Sequence, residues 1–266
     1  MLRPTLLMVS LFLGLSPVVG QDLDHQIRNL RSAAEVEGMW ASISTADQAH
    51  RGLGTVDSID NLNFKRMVLL IKHHGYPTGS ITPNVVFTHQ RSAYIREHYF
   101  PILHQAYLDG KADAYWFMHN VKGLHRGRFG FDLVQPSDST YERLLARLSP
   151  YLNGSVSYDL GAFDSLYTSY IKDVERIISA PATHRWVNTE NDRVSIHQVG
   201  EDFYFFKLWR DGSYGMPQRI HRNPNGNKYT FVEPANKAYL IVDTAGNLTI
   251  KGGQLRPQHY SVDGSH

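Results

Sequence analysis

Two different periods of apolar residues divide this chain. From Asp22 to about Ala180 the period is helical: Leu23, Ile27, Leu30 and Ala34 recur at steps of four, three and four, as an amphipathic helix requires. A second helix is expected to start near Ser58 or Asp60 and to turn Phe64, Met67, Leu70 and Ile71 inward. Gly75 suits the left-handed position after its last turn, and Pro77 prevents continuation. A third is expected from Thr82 as cap, with Pro83 in the first turn, towards Gly110; Pro101 should kink or split it. Further helices are expected over Ala112 to Lys122, Ser139 to Leu148 and Phe163 to Ile178.

After Pro181 the texture changes to short runs of β-branched and aromatic residues: Val194 to Ile196, Phe203 to Leu208, Tyr229 to Phe231, Ala238 to Val242 and Leu248 to Ile250. Turn-forming stretches such as Asp211-Gly212, Asn223 to Gly226 and Ala245 to Asn247 separate them. None is long enough for a helical crossover, so antiparallel pairing is expected. The fold class is therefore α+β. A mainly helical domain (21–180) precedes an antiparallel β-meander (184–256) of about six short strands, a small curved sheet or half-barrel. Residues 257–266 are expected to be a disordered tail.

The first twenty residues change the picture of where the protein works. Arg3 precedes an apolar run from Leu6 to Leu15, and small residues follow, with Val18 and Gly20 at the positions a signal peptidase inspects. The run is about ten residues, short of the roughly 20 that span a bilayer. The sequence thus predicts a signal peptide (1–20) cleaved after Gly20, and a secreted or periplasmic protein beginning at Gln21. No cysteine follows for lipid attachment, and none is present to form disulfides, so the fold must rest on core burial.

Charge narrows the partners. The chain has 27 Lys+Arg against 25 Asp+Glu, without the basic stripe that nucleic-acid or polybasic membrane binding needs. Expected partners are a small molecule, a peptide or an envelope component, with no nucleic acid and no transmembrane anchor. The histidines from His73 to His125 are spaced 1, 15, 9, 6, 15 and 6 apart, which gives no chelating pair on one helix face. No metal and no cofactor is expected. Neither a G-x-S-x-G elbow nor a Gly-rich phosphate loop occurs.

Two sets of candidate residues remain. His89, with His125, Arg126 and Arg128, combines an imidazole with guanidinium groups suited to general-base and anion-stabilising roles. On one continuous helix, His89 would share a face with Val85, Val86, Ala93 and Arg96. In the β-part, Phe203, Phe205 and Trp209 are candidates for a ligand platform, since four consecutive aromatics place two on each face of a strand.

The segment from Asp60 to Gly130 carries Asp60-x-x-Asn63, Gly75-Tyr76-Pro77, Thr88-His89, Tyr99 to Leu103, Asp109-Gly110 and Arg126 to Gly130. In these it resembles a bacterial exported domain family of unknown function, with a Gly-Trp-Pro helix end, a Gln-His helix and a Tyr-Gly-Thr-Gln signature. Tyr76 replaces the Trp, Asn120 stands near the place of an Asp-Arg pair, and Phe131-Asp132 replaces Thr-Gln. The resemblance implies a cellular setting rather than a reaction. Trp186 and the strands after it are weakly similar to lipocalin-like sheets. Two functions stay open: a non-catalytic binding or interaction module, or a hydrolase-type enzyme with a His89/His125/Arg126 pocket.

Overall fold

A computed structural model describes residues 17–49, 56–129, 155–210, 214–224, 226–232, 238–252 and 257–264; the side chains of 17–21, 56–57 and 126–129 lie outside that description. Its helices are α1 (Pro17–Arg28), α2 (Ala33–Ala49), α3 (Val56–His74), α4 (Thr82–His89), α5 (Ala93–Leu108), α6 (Ala114–Phe129) and α7 (Phe163–Ile178). The helix expected over Ser139 to Leu148 lies outside the described residues. Among the described residues no helix is long and apolar enough to cross a membrane.

The stripe from Leu23 to Ala34 is split between two helices. Ser32 N–H donates to Glu35 Oε2 (2.9 Å) and Glu35 N–H donates to Ser32 Oγ (3.2 Å), a reciprocal cap that starts α2 afresh. Helix α1 then lies on α3. Asp24 accepts hydrogen bonds from Lys72 (3.0 Å) and His73 (2.9 Å), and His74 Nε2 donates to the Ile27 carbonyl (2.8 Å). Burial alone would raise the Asp24 pKa, but the bonds from His73, Lys72 and Arg28 outweigh it and hold the carboxyl at about 2.

The helical core is built on Phe64, whose ring meets Phe87 edge-on at 4.9 Å and Tyr99 at 5.6 Å. The long helix from Thr82 is not split at Pro101, which sits buried inside α5; it breaks at residues 90–92. Ser92 Oγ accepts the Ile95 N–H, and Gln90 Oε1 accepts the Ser92 N–H (3.0 Å), so the side chains reward a break there. Thr82 is the first helical residue rather than the cap, and Ser80 Oγ takes its N–H (3.2 Å).

Eight strands follow: β1 (Ala182–Val187), β2 (Arg193–Val199), β3 (Asp202–Leu208), β4 (Gln218–Arg222), β5 (Lys228–Phe231), β6 (Tyr239–Val242), β7 (Leu248–Lys251) and β8 (Gln258–Val262). Each pairs antiparallel with the next, and β8 returns to β1 through Trp186–Val262 and Val187–Ser261. The sheet is thus a closed up-and-down barrel rather than a meander of about six strands. The segment expected as a tail supplies the closing strand. Both unexpected strands, β4 and β8, carry polar residues outward and few apolar ones inward, Ile220 in β4 and Tyr260 in β8. In so small a barrel one such residue suffices per strand, because eight strands leave an interior only wide enough for side chains.

Side chains fill that interior. Trp186, Ile196, Phe205, Tyr229, Leu240, Leu248 and Ile250 are fully buried, and Trp186 Nε1 donates to the Gly246 carbonyl (2.7 Å). Of the four consecutive aromatics, Phe203 and Phe205 face inward, while Tyr204 and Phe206 face outward. The outward pair is covered by α7: Phe206 packs with Tyr170 and Val174, and Arg176 lies over the Tyr204 ring at 5.4 Å. Tyr94 Oη of α5 donates to Asp173 of α7 (2.6 Å), so α7 is held to the helices on one side and to the barrel on the other.

Candidate functional site

His89 ends α4 rather than lying in mid-helix, so Ala93 and Arg96 belong to the next helix and do not continue its face. Its Nδ1 is 2.8 Å from Asp47 Oδ1, contributed by α2. The Asp47 side chain is 2 % exposed and that of His89 28 %. With a carboxylate as acceptor, Nδ1 carries the proton in the neutral ring, and Nε2 is then its basic nitrogen. Gln48 Nε2 donates to the second oxygen of Asp47 (2.6 Å), which fixes the carboxylate plane.

Around this pair the helical interior is unusually polar. Asn120 Nδ2 donates to the Asn84 carbonyl (3.0 Å) and to that of Trp116 (3.1 Å), and Thr88 Oγ1 donates to the Asn84 carbonyl (2.9 Å). Asn84 Nδ2 in turn donates to Tyr76 Oη (3.0 Å), and burial pushes the Tyr76 phenol well above its usual range. Gln90 Nε2 donates to Asn61 Oδ1 (2.9 Å). These bonds tie α4 to α3 and α6. His125 is buried on α6, one turn beyond Asn120, and Gly123 on the same helix leaves room for the Arg96 guanidinium, 3.4 Å from where a Cβ would stand. Arg126 and Arg128 fall on the last turn of α6, and their side chains lie outside the described residues.

The aromatic candidates are placed in the barrel. Phe205 is fully buried with its ring edge-on to Phe231 (5.7 Å), and the Phe203 ring meets Tyr229 at 6.2 Å. Trp209 lies beyond the end of β3, its ring 5.6 Å from Lys207 Nζ. Lys207 points into the barrel mouth and pairs with Asp192 (3.3 Å).

A second concave region was not anticipated. A cleft of about 570 Å³ opens between the α1–α2 turn, α2 and the α3–α4 loop. Trp40, Val36 and Pro77 give it apolar surface, and Arg31, Glu37 and His74 bring charge and hydrogen-bonding capacity. His74 donates from Nε2 to the Ile27 carbonyl, which leaves Nδ1 as an acceptor. Gly75, at φ +81°, makes the left-handed turn that ends α3 beside the cleft. Asp47 and Trp40 share a helix face with Ile43 at steps of three and four, a signal present in the sequence although α2 was not expected as a separate helix. Among the described residues no cluster of three or more His, Asp or Glu side chains is arranged to hold a metal ion.

The chain matches no protein-family model, no curated protein and no solved structure.

Proposed function

We propose that the protein is exported and acts as a binding module, with the cleft beside α2 as its ligand site. The observation that carries this reading is the lining of that cleft: Arg31, just ahead of α2, and Glu37, within it, border it together with Trp40. Opposite charges around an apolar patch suit a small zwitterion, such as an amino acid or a dipeptide. The filled barrel then serves as a scaffold rather than a calyx. The exported setting rests on the N-terminal leader and on the family resemblance. Dialanine added at 100 times its Kd should stabilise the mature chain by about 2.7 kcal/mol, read as a rise in Tm. Glu37→Gln and Arg31→Gln should each remove most of that rise. A wild-type Tm unmoved by dialanine and by free amino acids at millimolar concentration contradicts the reading.

The Asp47–His89 pair supports a second reading, a hydrolase-type enzyme with His89 as general base. A buried carboxylate that fixes the tautomer and orientation of an imidazole is the arrangement such a base needs.

A further inference from the structure

The outer face of β2 carries a row of side chains that neither reading uses. Ser195 Oγ lies 2.8 Å from His197 Nε2, and His197 Nδ1 lies 2.8 Å from the Ala180 carbonyl. A carbonyl can only accept, so Nδ1 holds the proton, Nε2 is bare, and the serine hydroxyl donates to it. This is a nucleophile on its base, with the base oriented by a third group. Burial pushes the His197 imidazole below its ordinary value, against the opposing pull of the Ala180 bond, so it stays neutral and able to accept a proton at pH 7.

Strand register places the remaining parts. Arg185 on β1 and Phe206 on β3 are the direct cross-strand neighbours of Ser195, and Arg193 is two residues away on the same face. Ser195 and His197 line a cavity of about 230 Å³ with Arg185, Arg193, Phe206 and Leu208, and Ile178 at the end of α7 borders it. Arg193 has a long ion pair with Asp263 (4.0 Å), whereas Arg185 has no ion pair among the described residues.

The geometry points to a serine esterase site on the outside of the barrel, with Ser195 as nucleophile, His197 as general base and a short-chain carboxylic ester as substrate. Ser195 Oγ bonds to the ester carbonyl carbon while its proton passes to His197 Nε2. The ester C–O bond breaks, and the alcohol leaves with that proton. A water molecule then repeats the sequence, releasing the carboxylic acid and restoring Ser195. Arg185 faces the oxygen that gains charge in both steps, and Phe206, Leu208 and Ile178 hold the acyl chain. The site shares no residue with the cleft beside α2, so either can fail without the other.

The test uses the full mature chain with a fluorophosphonate and with 4-nitrophenyl butyrate. The native protein should acquire one phosphonyl adduct, mapped by mass spectrometry to Ser195, and the heat-unfolded protein none. Ser195→Ala should take up no adduct and lose ester hydrolysis by about 100-fold or more, and His197→Gln should slow both reactions by a similar factor. A native chain without an adduct at Ser195, equal labelling of native and unfolded protein, or hydrolysis retained by Ser195→Ala overturns the proposal.

Discussion

Asp192→Asn should lower stability by about 2 to 4 kcal/mol, although it changes one atom. The Lys207 side chain is 3 % exposed inside the barrel mouth, and Asp192 Oδ2 lies 3.3 Å from its Nζ. Asp192 is itself held in place: its Oδ1 accepts the Arg210 N–H (3.1 Å), and Asn188 Oδ1 accepts the Asp192 N–H (2.8 Å). Removing one member of a buried ion pair costs about 3 to 5 kcal/mol, because the other charge stays desolvated. Part of that is offset, since the Lys207 ammonium lies 5.6 Å from the Trp209 ring and 5.9 Å from that of Tyr260; such contacts contribute about 0.5 to 1 kcal/mol each. At about 2 to 4 °C per kcal/mol for a chain of this size, Tm should fall by about 5 to 15 °C in a thermal melt. The double variant Lys207→Met/Asp192→Asn should recover most of the loss, because it removes the buried ammonium together with the carboxylate. A fall below 1 °C in Asp192→Asn, or a double variant no better than the single, would refute the argument that this charge is buried and dependent on its partner.

The Asp24 carboxyl is held below its ordinary value, so its share of stability is complete above pH 3.8 and is lost as the pH falls through about 2; acid unfolding curves of wild type and Asp24→Asn should converge across that window. His89→Ala should cost about 1 to 3 kcal/mol, because the buried Asp47 carboxylate loses one of its hydrogen bonds, and a denaturant melt identical to wild type would contradict this. Mass spectrometry of the exported protein should give a chain starting at Gln21, and an intact Met1 would rule out the proposed processing.

The change of architecture at Pro181 was legible because a period of 3.6 and a period of 2 are hard to confuse over long stretches. Closure of the barrel was not, for reasons that sit in two strands. Gln218 to Arg222 and Gln258 to Val262 look like polar loop sequence, since most of their side chains face water and few face the core. Only the pairing of β8 with β1, a contact between residues more than seventy positions apart, reveals what they do. The break at residues 90–92 escaped for the opposite reason. Pro101 is a strong local signal, yet the fold keeps it inside α5 and breaks where Ser92 can cap and Gln90 can reach across to Asn61. Ser32-x-x-Glu35 was a readable start signal for α2, and with α2 in place Asp47 falls on the buried stripe of Trp40 and Ile43, within reach of His89. The partner of His89 was thus present in the pattern, but it depended on locating one helix boundary. The Ser195–His197 pair needed register as well as pattern, because only the pairing with β1 brings Arg185 beside it.

Zwitterion binding at the cleft beside α2 is read by calorimetric titration of dialanine into the mature chain and into Glu37→Gln. Saturable one-site binding to the wild-type chain is expected, weakened at least about tenfold in Glu37→Gln, the equivalent of about 1.4 kcal/mol. Absence of heat with the wild-type chain, or equal affinity in the variant, would contradict binding at that cleft.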